Sequence, residues 1–181
     1  MNHAFKSGEL ARRRAPATFF LTGDFAARCP AAVRRIAAAG HGLGNHSFSH
    51  PNFKDLGVTG RRREVVAPEL ALRAAGAGRA LTPFFRFPYS ETTPAHIGEV
   101  NALGFADIEF TTDTNGWKWT EGGMTVDRAL DALRPGAILQ MHVGVSQGRT
   151  EVIDARALLR ILDALTDRGY DIIDLRTLLT R

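Results

Sequence analysis

The chain has 181 residues, 44% of them hydrophobic and 23% charged, with a formal net charge of +4. That length suggests one domain, is enough to bury a real core, and offers no apolar run near the roughly 20 residues of a membrane span. The single cysteine, Cys29, excludes an internal disulfide, and the arginine clusters at 12–14 and 61–63 carry no interleaved aromatics, so nucleic-acid binding is not indicated.

Taken in chain order, short β-rich runs alternate with helical patterns. ATFFLTG (17–23) predicts a strand closed by Gly23. PAAVRRIAAAG (30–40) predicts a helix with Pro at its start and Gly40 at its end. GLGNH (42–46) predicts a short strand, and TGRRREVVAPELALRAAG (59–76) a helix broken or kinked at Pro68. FFRFPY (84–89) reads as the next strand, PAHIGEVNALG (94–104) as a helix, and FADIEFTTD (105–113) as a strand. TVDRALDALRPG (125–136) follows as a helix, AILQMHVG (137–144) as a buried strand, and EVIDARALLRILDALTDRG (151–169) as the best amphipathic helix of the chain. YDIIDL (170–175) predicts the last strand. This order predicts an α/β fold with a largely parallel sheet.

The polar residues suited to chemistry recur at one place in each unit, the exit from a strand. His46 and His50 follow the second strand, Arg86 and Tyr89 the third, Asp113 and Trp117 the fourth, and His142 the fifth. In a parallel α/β barrel these ends share one face, where active sites are built. His46 and His50, four apart in GNHSFSHPNF, suit a divalent transition metal, although two surface histidines in a polar loop would show the same spacing. Arg86 suits a carboxylate, or an ion pair at a strand end. Trp117 and Trp119 suit an apolar wall or a sugar platform, or plain core packing. His142 follows apolar residues that could set it for acid–base work, or is a satisfied core histidine. His3, His41 and His96 are read as structural. No G-x-S-x-G elbow, dinucleotide fingerprint or P-loop occurs.

Together, ATFFLTG, GHGLGNHSFSHPNF, FFRFPYSE, DTNGWKW and GAILQMHVG followed by a helix and GYDIIDL resemble the polysaccharide deacetylases with the NodB homology domain, carbohydrate esterase family 4. The resemblance runs from about Ala17 to the carboxyl end. It implies a distorted (β/α) barrel that removes N- or O-acetyl groups from chitin-, peptidoglycan- or xylan-type glycans with a divalent transition metal, zinc first, with Co²⁺ or another ion as alternatives. It implies His46 and His50 as metal ligands, His142 as the general acid, Arg86 as the residue that orients the catalytic base, and Tyr89 and Trp117 as substrate-binding residues. It also implies an acetylated glycan as partner and work at or beyond the cell envelope, although the amino terminus shows no apolar signal-type run.

The sequence departs from that family in places. The family's T-F-D-D-G segment, which supplies the base and the third metal ligand, does not occur in this sequence, and FKSGELARRRAPATFF looks like the helix that follows it. The expectation is therefore a single domain over 1–181, incomplete at its N-terminus, either as a shortened deacetylase or as an inactive remnant that binds glycan or metal weakly. Asp24 is the nearby carboxylate that could stand in. Gly116 replaces the acid that commonly precedes Trp117 and tunes the histidine, leaving Asp113 as the candidate for that task. Gln140 stands where the family has Leu.

Overall fold

The computed structural model describes residues 7–118, 122–144 and 152–180. The chain divides into two compact units, one built from Ser7–Ile108 with Ile173–Arg181, the other from Glu109–Ile172.

The first unit opens with helix α1 (Ser7–Arg12), where Glu9 pairs with Arg12 and Arg13. Strand β1 (Thr18–Leu21) follows, and Thr22 then caps helix α2 (Gly23–Arg28) by accepting the Phe25 N–H at 3.1 Å. Such a cap satisfies one of the donors a helix start leaves open. Helix α3 (Pro30–Ala38) leads to strand β2 (Gly42–Asn45), and the long helix α4 (Val58–Ala74) to strand β3 (Leu81–Phe85). Helix α5 (Pro94–Ala102), capped by Thr93, precedes strand β4 (Ala106–Asp107). The sheet runs β1-β2-β3-β4 with every pairing parallel, as the alternation of strand and helix requires.

Its core is aromatic. Phe53, Val65, Phe85, Phe87 and Val100 are buried together, with Phe53, Phe85 and Phe87 meeting at ring separations of 4.9–5.7 Å. Each such burial contributes about 1.5–3 kcal/mol, and offset rings add edge-to-face attraction. Part of the basic cluster 61–63 is structural, since Arg61 holds Glu99 bidentately at 2.7 Å on each arm and ties α4 to α5.

The second unit contains strand β5 (Thr112–Asp113), helix α6 (Gly122–Asp131), strand β6 (Leu139–Gln140) and helix α7 (Ile153–Asp167). β5 pairs with β6 in parallel. Val126, Ala129, Ala157 and Ile161 form its core, with Leu139 and Met141 packed on it.

Five expectations need correction. FFRFPY leaves the strand at Phe85, and Pro88–Ser90 form a 3₁₀ turn. Pro68 does not break α4. It is buried inside a continuous helix beside Gly23, where an added Cβ would lie 3.1 Å from the Pro68 Cα and 2.3 Å from the Phe48 ring. Close packing of α2 on this turn offsets the cost of about 3 kcal/mol that an interior proline carries. FADIEFTTD is not one strand but two, β4 and β5, in different sheets. AILQMHVG forms only the two paired residues of β6, half-buried. YDIIDL forms no strand, and Leu175–Thr180 is a 3₁₀ turn. There Asp174 accepts the Arg176 N–H and its guanidinium, and the Asp174 carbonyl accepts the Thr177 N–H. These local bonds give the backbone an alternative to a ladder, and Ile173 is left 71% exposed.

Candidate active site

In the first unit the histidine segment leaves β2 directly. The His46 N–H reaches the Leu21 carbonyl at 3.1 Å, and His46 Nδ1 lies 2.9 Å from the Arg86 carbonyl. A carbonyl can only accept, so Nδ1 carries the proton and Nε2 keeps its lone pair. The His46 and His50 rings stand 4.8 Å apart, edge to face, and the Tyr89 ring lies 4.7 Å from His50. Ser47, His50 and Tyr89 all have positive φ, at 64°, 59° and 59°. Backbone of that kind costs on the order of 1–3 kcal/mol and persists only where the surroundings hold it.

In the histidine segment, what holds it is Glu64, a residue the sequence reading missed. Buried on α4, its Oε2 accepts the Phe48 and Ser49 N–H groups at 2.8 Å each, and its Oε1 accepts the Ser49 hydroxyl at 2.9 Å. Asn45 adds a second brace, donating to the Val65 carbonyl at 2.7 Å and accepting the Ser47 N–H at 3.0 Å. A glutamate among the inward positions Glu64, Val65, Pro68 and Leu72 was the available signal.

Arg86 follows β3. Its Nε donates to the Ile108 carbonyl at 3.0 Å, and its guanidinium lies 4.3 Å over the Phe20 ring. Phe20 can lie there because Gly44, its partner in the neighbouring strand, has no side chain; a Cβ would come within 2.6 Å of the ring. Tyr89 is 63% exposed. Asp24 sits in the first turn of α2 and pairs with Arg28 one turn on.

In the second unit, Asp113 and His142 come together. Asp113 Oδ1 lies 2.8 Å from His142 Nε2 and accepts the Asn115 N–H at 2.8 Å, while Gln140 donates to Oδ2 at 3.3 Å. Gln140 thus braces the carboxylate of the pair. Burial alone would raise the Asp113 carboxyl, but the hydrogen bonds from His142, Asn115 and Gln140 hold it below the ordinary carboxylate value. Trp117 stands edge-on to His142 at 6.5 Å and is half exposed.

Asp154, also missed in the sequence, is fully buried at the start of α7. It accepts the His142 backbone N–H at 2.5 Å and the Thr114 hydroxyl at 2.8 Å. His41 and His96 are buried, His41 against Phe19 and His96 beside Phe53 and Phe87, as structural histidines are. His3 and Trp119 lie outside the described residues.

A profile of the family described as "Polysaccharide deacetylase" matches residues 9–108, more than half of the chain, from within α1 to Ile108, whose carbonyl anchors Arg86. The chain belongs to the polysaccharide deacetylase family. It is similar to a chitooligosaccharide deacetylase of Sinorhizobium fredii, with 34% identity over 171 residues, covering 89% of this chain and 78% of that protein. Among solved structures, Bc1960 peptidoglycan N-acetylglucosamine deacetylase superposes with a TM-score of 0.87 at 27% identity, over 97% of this chain and 80% of that one. BA3943 from Bacillus anthracis, described as a pseudoenzyme of carbohydrate esterase family 4, superposes with a TM-score of 0.86 at 25% identity, over 98% of this chain and 60% of that one. The α/β fold is that of the polysaccharide deacetylases.

The fit of this deacetylase-family chain to a metal rests on His46 and His50. The Nδ1 bond of His46 is the outer contact that a metal-ligating imidazole uses to fix its ring. Catalytic zinc sites, however, take three protein ligands, and no cluster of three His, Cys, Asp or Glu able to hold a metal occurs among the described residues. The pair fits two positions of such a site. No helix among the described residues is long and apolar enough to cross a membrane.

Proposed function

We propose that the protein is a metal-dependent hydrolase that removes acetyl groups from a chitin- or peptidoglycan-type glycan. The observation that carries this is the histidine pair, whose rings stand 4.8 Å apart with His46 held by the Arg86 carbonyl. Similarity to chitooligosaccharide and peptidoglycan deacetylases supplies the substrate class.

His46 and His50 would hold a divalent transition ion, zinc first. When bound, such an ion polarises an acetyl carbonyl and lowers the pKa of a water. His142 protonates the departing nitrogen or oxygen. With Asp113 accepting at Nε2, the transferred proton is the one on Nδ1, and the carboxylate stabilises the imidazolium while the ring waits. Trp117 supplies an apolar wall beside that ring. Tyr89, against His50, offers a hydroxyl and a ring face to sugar. Arg86, resting on Phe20, is suited to orient a carboxylate.

A second reading is favoured by the two-histidine donor set and by the likeness to a family pseudoenzyme: a protein that binds glycan or metal without turnover. Acetate release from acetylated chito-oligomers and from peptidoglycan, with Zn²⁺ or Co²⁺ added, separates the two. Turnover abolished by both His142→Ala and His46→Ala supports the hydrolase. Zinc binding lost in His46→Ala without acetate release under any condition supports the binding protein.

A further inference from the structure

The space beside Gly116 and the buried carboxylate of Asp154 coincide. A Cβ built on Gly116 would lie 2.3 Å from Asp154 Oδ1, 2.4 Å from its Cγ and 2.6 Å from Oδ2. No real Cβ approaches a carboxylate so closely. Nor is glycine needed here for backbone reasons, because Gly116 is not among the residues of positive φ. The glycine is there for room, and Asp154 fills that room.

Asp154 also sits astride the dyad. Its two oxygens take the His142 N–H, just past β6, and the Thr114 hydroxyl, just past β5. Thr114 N–H in turn reaches the Gln140 carbonyl at 3.1 Å. The ends of both two-residue strands are therefore fastened to one side chain from α7, and those ends carry Asp113 and His142. Without it, the two-residue ladder and the bonds of Gln140 and Asn115 to Asp113 would be left to fix the 2.8 Å approach of Nε2 to the carboxylate.

We infer that Asp154 is a positioning residue for His142, delivered from α7 into the space that Gly116 leaves open, and that positions 116 and 154 are alternative origins for one carboxylate. The two cannot both bear side chains there. This rests on reading His142 as the proton donor, and it deepens that reading by naming what holds the donor in place.

The test reads the imidazole and not turnover, so a protein that releases no acetate still answers it. Ring ¹⁵N and ¹H resonances of His142 report its tautomer. The native protein is expected to show a protonated Nε2 whose downfield proton is shared with Asp113, and a His142 amide protected from exchange. In Asp154→Asn, nearly isosteric, the downfield ring proton is lost and the ring nitrogens average between tautomers. If instead the variant loses stability while the ring signature stays native, Asp154 is merely structural and the inference is overturned.

A double-mutant cycle gives the second arm. Gly116→Asp alone lowers Tm or fails to fold, and Asp154→Ala alone lowers Tm. The pair together recovers Tm above either single variant and restores the His142 ring signature. Losses that simply add, or a double variant with an averaged ring, overturn the claim that the two positions share one space. Should acetate release be absent in every variant while these spectra behave as stated, the hydrolase reading fails and the positioning role stands.

Discussion

The two halves of the candidate chemistry are held by different physics. The histidine pair rises from a four-strand parallel ladder over an aromatic core, and its strained loop is fixed by backbone N–H groups bonded to Glu64. The Asp113–His142 dyad rises from two strands of two residues each, and carboxylates do the fastening. Where the ladder is long, the sheet and its aromatic core set the strand ends, and one buried carboxylate, Glu64, fixes the loop that leaves them. Where it is short, the groups that titrate also hold the geometry, so pH acts on structure and chemistry together.

The largest expected effect falls on the first half. Phe85→Ala empties the centre of the aromatic core and is expected to cost about 3–5 kcal/mol, read from urea unfolding, with the zinc affinity of the surviving folded fraction little changed. A fall in affinity out of proportion to unfolding would mean that the core also aims the histidines.

Next comes Glu64→Gln. The amide oxygen can still take the two N–H groups, but as a neutral acceptor, and Ser49 must turn its hydroxyl to accept from the new NH2, so the loss of charge-assisted bonds costs about 1–2 kcal/mol. Calorimetry with Zn²⁺ should show weaker binding than native, because the loop with positive φ at Ser47 and His50 relaxes. Native affinity in this variant would show that the strain needs no such brace.

The smallest effect is on the second half and is seen only against pH. Asp113 is depressed in the folded state, so its stabilisation is complete above the unfolded carboxylate value of about 3.9. It fades as pH falls through the folded value. Asp113→Asn should therefore be less stable than native near neutrality and converge with it in acid. Asp154 has the opposite sign. Burial, its largest influence, raises its carboxyl against the bonds from His142 and Thr114, so charging it costs the folded state as pH rises. If the native and Asp113→Asn profiles run parallel at every pH, the claim that titrating groups hold this half is wrong.

Most of the first half was legible in the sequence, because its signals are local. Proline begins α3 and α5, and the apolar run 17–23 is bounded by glycine, whereas the short helix α2 behind its Thr22 cap was not read. The shared placement of His46, Arg86, Asp113 and His142 at strand exits was legible too, because parallel α/β order puts such exits at equivalent points. What escaped depends on distant partners. Glu64 lies among the inward positions of α4, which gives its direction but not the backbone N–H groups it meets, and nothing local says that Asp154 turns inward. Nothing local says that Pro68 would be tolerated, since the tolerance comes from Gly23 and Phe48. The last apolar run read as a strand because its hydrophobicity outweighed Asp174, yet the hydrogen bonds at that aspartate decide the turn.

Gly44 touches neither metal nor sugar in any scheme described here, yet its bare Cα is the floor on which Phe20, and above it the Arg86 guanidinium, are stacked. A single methyl group at that strand position would lift the ring and tilt the cation above it. Steering of an arginine is thus delegated to a residue with no functional group at all, and a survey of polar atoms alone would pass over the position that governs its pose.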